Sequence, residues 1–449
     1  MERRYDLTSG PLIPSILRLA GPAVLMMLLQ GVYNYIDTYF VGYLGAEALA
    51  GISTGAFILW MTFSLANLLA VGAAAKVARR LGERNRVEAD RTALRGMIYV
   101  VGWAGLIGVV LYFGSPLLFR LMNTPEKVTT DGLAFLMPQI YAMPLVFLSF
   151  LVNGIFSSAG DTRSPFFIMF LSLLLNAFLD PLMIFGFAGF PAMGIAGASW
   201  ATVIARLVWL YLTLRKLTAT GGAISLRAHR RLGAGWRDLL SIARIGAPKT
   251  LTGVLFSGVY MALTRIAADY GTPQIAALRI GHIYEGITFL SSLGFSMAVG
   301  AVVGQNLGAG DSRRAAKAAW STALIVALFA AGVGAAFRFA AVPLAGVFSL
   351  DSSVIHAAAG YLLILAWSQP FMAVEMVIEG CFSGAGDTVP PMVIQLPLTV
   401  LRWPAAYFMA YHTSLGVEGV WWAISGSSIL KAVLLAWWFR QGRWVKKKV

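Results

Sequence analysis

Long apolar runs separated by short polar stretches set the pattern along the 449-residue chain. Twelve runs recur, six centred near residues 28, 62, 105, 145, 175 and 207 and six near 256, 290, 328, 367, 400 and 428. Only helices and closed barrels satisfy every backbone polar group in lipid. The runs are long enough to span a bilayer and lack the strict alternation of barrel strands, so each predicts a transmembrane helix of about 20–25 residues. Short loops join them. Residues 1–14 hold no long apolar core and no small-residue cleavage site, so no cleaved signal peptide is predicted.

The pattern also repeats. NGIFSSAGDTRSPF at 153–166 returns as EGCFSGAGDTVPPM at 379–392, 226 residues later. ARRLGERN at 78–85 returns as GQNLGAGD at 304–311 with the same offset, and GVY at 31–33 returns at 258–260, one residue further on. The offset is close to half the chain, which predicts a duplicated six-helix unit. The expected fold is therefore all-α and integral to the membrane, with twelve transmembrane helices in two pseudo-symmetric six-helix bundles. The expected division is an N-terminal bundle at 1–217, a Gly- and Arg-rich linker at 218–236, a C-terminal bundle at 237–440 and a basic tail at 441–449. An even number of spans per copy gives both copies one orientation, an arrangement common in secondary transporters that bind substrate where the repeats meet.

Charge adds topology. Lys and Arg number 35 against 20 acids, a net charge of +15. That excess suggests nucleic acid until its positions are read. Lys76, Arg79, Arg80, Arg84, Arg86, Arg91 and Arg95 surround one loop, Arg215, Lys216, Arg227, Arg230, Arg231 and Arg237 another, and Arg440, Arg443, Lys446, Lys447 and Lys448 form the tail. The alternate loops near 43–47, 187–192 and 412–416 carry none. By the positive-inside rule both termini face the cytoplasm, with the protein multi-pass in the membrane. Composition supports this reading: 58% of residues are hydrophobic and only 12% charged, where soluble domains carry about 25% charged residues. One cysteine, Cys381, and four scattered histidines leave no disulfide and no metal-ligand spacing.

Candidate chemistry centres on Leu171 to Gly186, LSLLLNAFLDPLMIFG. This membrane run holds Asn176, Asp180 and Pro181. An aspartate at the bilayer centre costs about 2.5–3.5 kcal/mol on insertion scales, so it marks a functional position. Asn176 and Asp180, four residues apart, share one helix face, and Pro181 loosens the helix beside the carboxylate. A carboxylate and amide in a polar cavity bind a cation or proton; the bland alternative is an Asp satisfied by neighbouring backbone or hydroxyl groups. Asp37 in the first run, near Tyr33 and Asn34, is a second intramembrane acid.

These stretches resemble the multidrug and toxic compound extrusion (MATE) family. The likeness rests on GPAVLMMLLQGVYNYIDTYFVGYLG in the first helix, NGIFSSAGDT, NAFLDPLMIFG, GIAGASWATVIA, VGQNLGAGD and the second AGDT, in order and across all twelve runs. The pattern of run five points to the prokaryotic branch with the DNA-damage-inducible F-type proteins. The resemblance implies the MATE fold and a secondary multidrug exporter that antiports amphipathic or cationic compounds against protons or sodium. It implies that Asp37, Asn176 and Asp180 line one cavity of the N-terminal half as the coupling site. It adds Thr202 as a further polar member and Tyr33 as a neighbour of Asp37; Tyr33, Asn34 and Asn153 are the expected substrate-cavity residues. Ordinary interhelical hydrogen bonding remains the competing reading for Tyr33, Asn153 and Thr202. Two carboxylates in a low-dielectric cavity cannot both stay ionised cheaply. They could hold a proton, or sodium could be held by Asp37, Asn176, Asp180 and Thr202. Expected partners are a drug-like small molecule and membrane lipid, with no nucleic acid, no cofactor and a monomeric state.

The second half departs from the first. Thr264 and then Arg265 stand where Asp37 would fall, and run seven has no membrane acid, which puts in doubt the C-terminal sodium site of some family branches. Arg279, His282 and Glu285 in run eight, and Glu375 and Glu379 in run ten, follow helical spacing. They read as a second proton or substrate site, or as an ion-pair network in which Arg279 or Arg265 meets a glutamate. Met26, Met27 and Met61 could line an adaptable pocket, although such residues mostly face lipid or core. The AGDT turns lack a GxxxxGK[ST] phosphate loop, so ATP hydrolysis is not expected. A membrane enzyme would need a nucleophile or metal motif, and none occurs. The alternative function is a flippase for lipid-linked precursors or polysaccharides, which would need a cationic cavity.

Overall fold

The computed structural model describes residues 6–121, 124–189, 191–219 and 235–447. Most of the expected linker lies outside the described residues. The helices are α1 (Leu12–Gly42), α2 (Ala46–Gly82), α3 (Arg86–Leu121), α4 (Glu126–Tyr141), α5 (Met143–Ser158), α6 (Arg163–Phe185) and α7 (Ile195–Thr218) in the first half. In the second half they are α8 (Trp236–Ala268), α9 (Thr272–Gly308), α10 (Ser312–Gly346), α11 (Ser352–Ala385), α12 (Val389–Tyr411) and α13 (Glu418–Arg440). No strand occurs among the described residues.

Ten of these helices are long and apolar enough to cross a bilayer. The pair α4 and α5, bent by 58° at one break, makes an eleventh span. The segment expected near residue 400 is α12, less apolar because it holds Pro390, Pro391, Pro397, Pro404, Gln395 and Arg402. Several helices are longer than expected: α2 and α9 have 37 residues each. They continue past the membrane into the polar loops, where apolar periodicity gives no signal to stop.

The break in the fourth span has a local cause. Pro144 stands at the start of α5 and Pro138 inside the last turn of α4. Each removes a backbone donor and crowds the preceding turn. The counterpart of Pro144 in the second copy is Pro370, which lies within the uninterrupted α11. Ile364 replaces the counterpart of Pro138, so a single proline there leaves one helix.

The chain forms two compact units, and their boundaries differ from the expected cut near residue 217. One comprises Leu25–Ala247; the other joins Leu7–Val24 to Pro248–Val449. Thus α1 begins in the second unit and α8 begins in the first. The crossings fall between Val24 and Leu25 and between Ala247 and Pro248, close to Pro22 and Pro248, which occupy the same place in the two copies.

In the first unit, Ile242 of α8 joins a core with Phe119, Phe147, Phe156 and Leu136. Lys76 Nζ donates to Ser241 Oγ at 2.6 Å and Arg95 pairs with Asp238 at 2.7 Å. In the second unit, Ile16 and Leu19 of α1 pack with Phe382, Phe439 and Trp444. There Leu7 N–H donates to Gln305 Oε1 at 3.0 Å, and Arg314 Nη2 reaches the Ser9 and Gly10 carbonyls at 3.0 and 2.9 Å. Large apolar side chains such as Phe113, Leu328 and Phe339 are exposed, as lipid contact requires.

Close packing of α9 on α11 depends on glycine. A Cβ on Gly384 would fall on the Gly300 backbone, and one on Gly380 would meet Ser296. Small residues that let backbones approach are a common membrane helix contact.

The repeated turns are structural. Asn85, Asp161, Asp311 and Asp387 each donate their N–H to the carbonyl five residues before, at 2.9, 2.9, 2.9 and 3.0 Å. Each follows a residue of positive φ: Arg84 (58°), Gly160 (80°), Gly310 (81°) and Gly386 (75°). This closes a helix by the left-handed cap. Asn85, Asp161 and Asp311 then accept a hydrogen bond from the N–H three residues on, at 3.1, 3.0 and 2.8 Å, capping the next helix.

Candidate cation-coupling site

In the first unit, α1, α6 and α7 bring Asp37, Asn176, Asp180 and Thr202 together. The last three side chains sit one helical turn or one helix apart, and all four are buried. Asn176 Nδ2 donates to Asp180 Oδ1 at 3.1 Å, the contact that their spacing on α6 predicts. Thr202 Oγ1 donates to Asp37 Oδ2 at 3.0 Å, with the Ala198 carbonyl a second acceptor at 3.1 Å. Asn176 Nδ2 also lies 3.5 Å from Thr202 Oγ1. The Asp37 and Asp180 carboxyl groups stand within hydrogen-bonding reach of each other. Helix α6 passes through Pro181 and ends one turn later at Gly186, whose φ is 79°.

Three oxygens in this cluster, Asp37 Oδ1, Asn176 Oδ1 and Asp180 Oδ2, are buried without a hydrogen-bond partner. Native interiors seldom leave acceptors in that condition unless a ligand, ion or proton completes them. Two carboxylates, an amide oxygen and a hydroxyl form a hard oxygen donor set suited to a hard cation. The same carboxyl pair can instead hold one proton between its oxygens.

Tyr33 is buried beside the cluster, but its hydroxyl contacts the Ser172 carbonyl and Oγ, each at 3.4 Å, rather than an acid. Asn153 lies on α5, half-buried, with Oδ1 lacking a partner, and no hydrogen bond joins it to the four residues. The side chain of Asn34 is outside the described residues. Two members were not read from the sequence. Ser172 stands four residues before Asn176, and Arg206 stands four after Thr202, where it interacts electrostatically with Tyr33 and Asp37. Helical spacing from known members was the signal for both.

The second unit corrects one expectation. The acids of α11 do form an ion-pair network, but neither Arg279 nor Arg265 takes part. Arg279 is exposed and makes no ion pair among the described residues, and Arg265 meets only Asp269, at 3.9 Å on the surface. The partners are lysines. Lys431 pairs with Glu375 and Lys249 with Glu379, both at 2.9 Å. Gln395 Nε2 donates to both glutamates, at 3.1 and 3.2 Å. The His282 ring lies 5.0 Å from that of Tyr260 at a 56° tilt, its Nε2 buried without a partner. Glu285 forms no ion pair among the described residues but lies in the field of Arg402, Lys431 and Glu375. Lys249, Gln395, Arg402 and Lys431 were missed because they stand singly in apolar runs, with no acid at helical spacing beside them.

Comparison with known proteins gives one consistent family. The MatE family model matches residues 22–182 and again 248–408. A probable multidrug resistance protein NorM of Thermotoga maritima is 27% identical, over 97% of this chain and 93% of its own. An FAD transporter of Shewanella oneidensis is 28% identical, over 96% and 95%. Among solved structures, a MOP-superfamily transporter from Pyrococcus furiosus, described as having a binding pocket of reversed polarity, superposes with a TM-score of 0.91. It shares 22% identity and 99% of each chain is covered.

Proposed function

The chain belongs to the MatE family of membrane transporters, and from that premise we propose that it is a secondary exporter coupled through Asp37 and Asp180. Members of this family transport rather than catalyse. The proposed cargo is an amphipathic, often cationic organic compound, as the names of the NorM relatives suggest. The proposed driving force is a proton or sodium gradient, with both chain termini in the cytoplasm.

The observation that carries this reading is the set of three buried, unpartnered oxygens on Asp37, Asn176 and Asp180. A cation or proton from one side of the membrane satisfies them. An organic cation competes for the same negative charge. If the two occupants favour different conformations, entry of one drives exit of the other, which is antiport by alternating access. Thr202 holds Asp37 in place, and Asn176 holds Asp180.

The test is efflux of a fluorescent lipophilic cation from proteoliposomes under an imposed proton gradient, and separately a sodium gradient. Transport should follow one gradient and fall at least about tenfold in Asp37→Asn and in Asp180→Asn. Normal efflux by both variants refutes the assignment. The flippase reading needs a cationic cavity, and the feature that bears on it is Arg402 in the second unit.

A further inference from the structure

We propose that Arg402, with Ser427 and Ser428, forms an anion-binding subsite in the second unit that takes the carboxylate or phosphate of a small amphipathic organic molecule. This extends the transport reading above by naming a second substrate class, and it rests on a different set of residues.

The first observation is a buried cation with no ion pair among the described residues. Arg402 is 2% exposed. Its Nε donates to Ser427 Oγ at 2.8 Å and its Nη2 to Ser428 Oγ at 3.3 Å. Its Nη1 is buried with no hydrogen-bond partner among the described residues. The faces of Phe256 and Tyr260 lie 6.0 and 5.4 Å from the guanidinium carbon. They favour the charge without neutralising it.

The second observation is the state of the surrounding charges. Lys431 and Lys249 are each matched by a glutamate. The Tyr260 hydroxyl stands within hydrogen-bonding reach of the guanidinium, Glu285 acts on Arg402 only through space, and His282 and Lys431 face the same region without forming a hydrogen bond to it. A guanidinium presents a fixed fork of donors suited to carboxylate or phosphate. One branch of that fork is open.

The third observation is room. Arg402 and Ser427 line an open groove of about 640 Å³ between α12 and α13, along which Leu401, Leu415, Trp422 and Leu430 are exposed. Its other walls are apolar, among them Leu398, Met409, Leu415, Trp422 and Leu430. A polar anchor at the base of an apolar groove of this size suits a drug-sized amphiphile. Arg402 is about 20 Å from the first residue of α12 and about 14 Å from the last, by helix rise. That depth is far from phospholipid headgroups and favours a small mobile anion over a lipid headgroup.

The position itself supports the assignment. Arg402 occupies in the second copy the place of Asn176 in the first, and Ser428 the place of Thr202. The contact from Asn176 to Thr202 returns as the contact from Arg402 to Ser428. One scaffold position thus presents acceptors for cations in one copy and donors for anions in the other.

The test uses riboflavin and riboflavin 5′-phosphate, which differ only by the phosphate monoester. Binding to the full chain in phosphatidylcholine nanodiscs is read from flavin fluorescence, with no ion gradient, so failure of ion coupling does not affect the result. The wild type should prefer the phosphate form by about 10- to 100-fold, the range for a charge-assisted hydrogen bond. Arg402→Gln should abolish the preference while riboflavin binding persists. Arg402→Lys should keep part of it, which separates lost charge from lost folding. Equal affinities in the wild type, or a preference that survives Arg402→Gln, overturns the proposal. Loss of the preference in phosphatidylglycerol nanodiscs alone, with riboflavin binding intact, also overturns it by making a lipid headgroup the occupant.

Discussion

Removing Lys431 alone should destabilise the second unit far more than removing it together with Glu375. Their Nζ and Oε1 are 2.9 Å apart and the two side chains are 5% and 8% exposed. Water cannot screen this pair. Lys431→Met leaves the Glu375 carboxylate with only the Gln395 Nε2 donor at 3.1 Å. Breaking one side of a buried pair costs about 3–5 kcal/mol, most of it the isolated charge. In Lys431→Met/Glu375→Leu no isolated charge is left, and Gln395 keeps Glu379 as an acceptor at 3.2 Å. That double variant should lie within about 1 kcal/mol of the wild type, or be more stable, because apolar replacement of a buried pair is often neutral or better. The assay is equilibrium unfolding in mixed micelles of a mild detergent and dodecyl sulfate, run as a double-mutant cycle. A coupling energy near zero, or a double variant as unstable as the sum of the singles, refutes the reasoning. The surface pair Arg265–Asp269, 3.9 Å apart and 81% and 46% exposed, is the control. Arg265→Ala, which leaves Asp269 its hydrogen bond from the Tyr411 hydroxyl, should change stability by less than about 0.5 kcal/mol.

Two further predictions test packing and backbone. Gly384→Val should lower stability by about 1–3 kcal/mol or more, since its side chain meets the Gly300 backbone, whereas Gly332→Ala, with nothing within 4 Å, should be neutral or gain up to about 1 kcal/mol; the same unfolding assay distinguishes them. Arg84 has φ 58° where the matching turns have glycine, so Arg84→Gly should be neutral or gain up to about 1 kcal/mol, relief of left-handed strain offset by a looser unfolded chain, while Arg84→Val should lose stability in the same measurement.

Apolar periodicity and the duplicated AGDT turns made the helical fold legible, because span length and turn chemistry are local properties. Asn176 with Asp180 was legible for the same reason: residues four apart on a helix must share a face. The joining of Asp37 to Thr202 came through the family resemblance, since no local rule links residues in different helices. The break at Ala142 required weighing two prolines against one, and the run of hydropathy across it is continuous. The crossing of α1 and α8 between units was hidden, because an apolar helix gives no sign in its sequence of which core it joins. The lysine partners of Glu375 and Glu379 were hidden for a related reason. Each is a lone cation in an apolar run, and its acid lies on another helix.

Duplication followed by changes of side-chain class at three matched positions accounts for the different groups that the two copies leave unsatisfied. Thr202 and Ser428 keep a hydroxyl, and a hydroxyl accepts a hydrogen bond from an amide or a guanidinium alike. The interhelical contact therefore survives exchange of Asn176-type for Arg402-type side chains. Tyr33 and Tyr260 keep an aromatic ring near each position. What changes is the group left over. An amide beside two aspartates leaves oxygens unsatisfied, a donor set suited to a cation. A guanidinium leaves an N–H unsatisfied, a donor suited to an anion. The acids of the first copy have no counterparts in the second, where Leu263 or Thr264 and Ala406 stand in place of Asp37 and Asp180. Had they been retained, Arg402 would have closed on them as an internal ion pair, and its free branch would not exist.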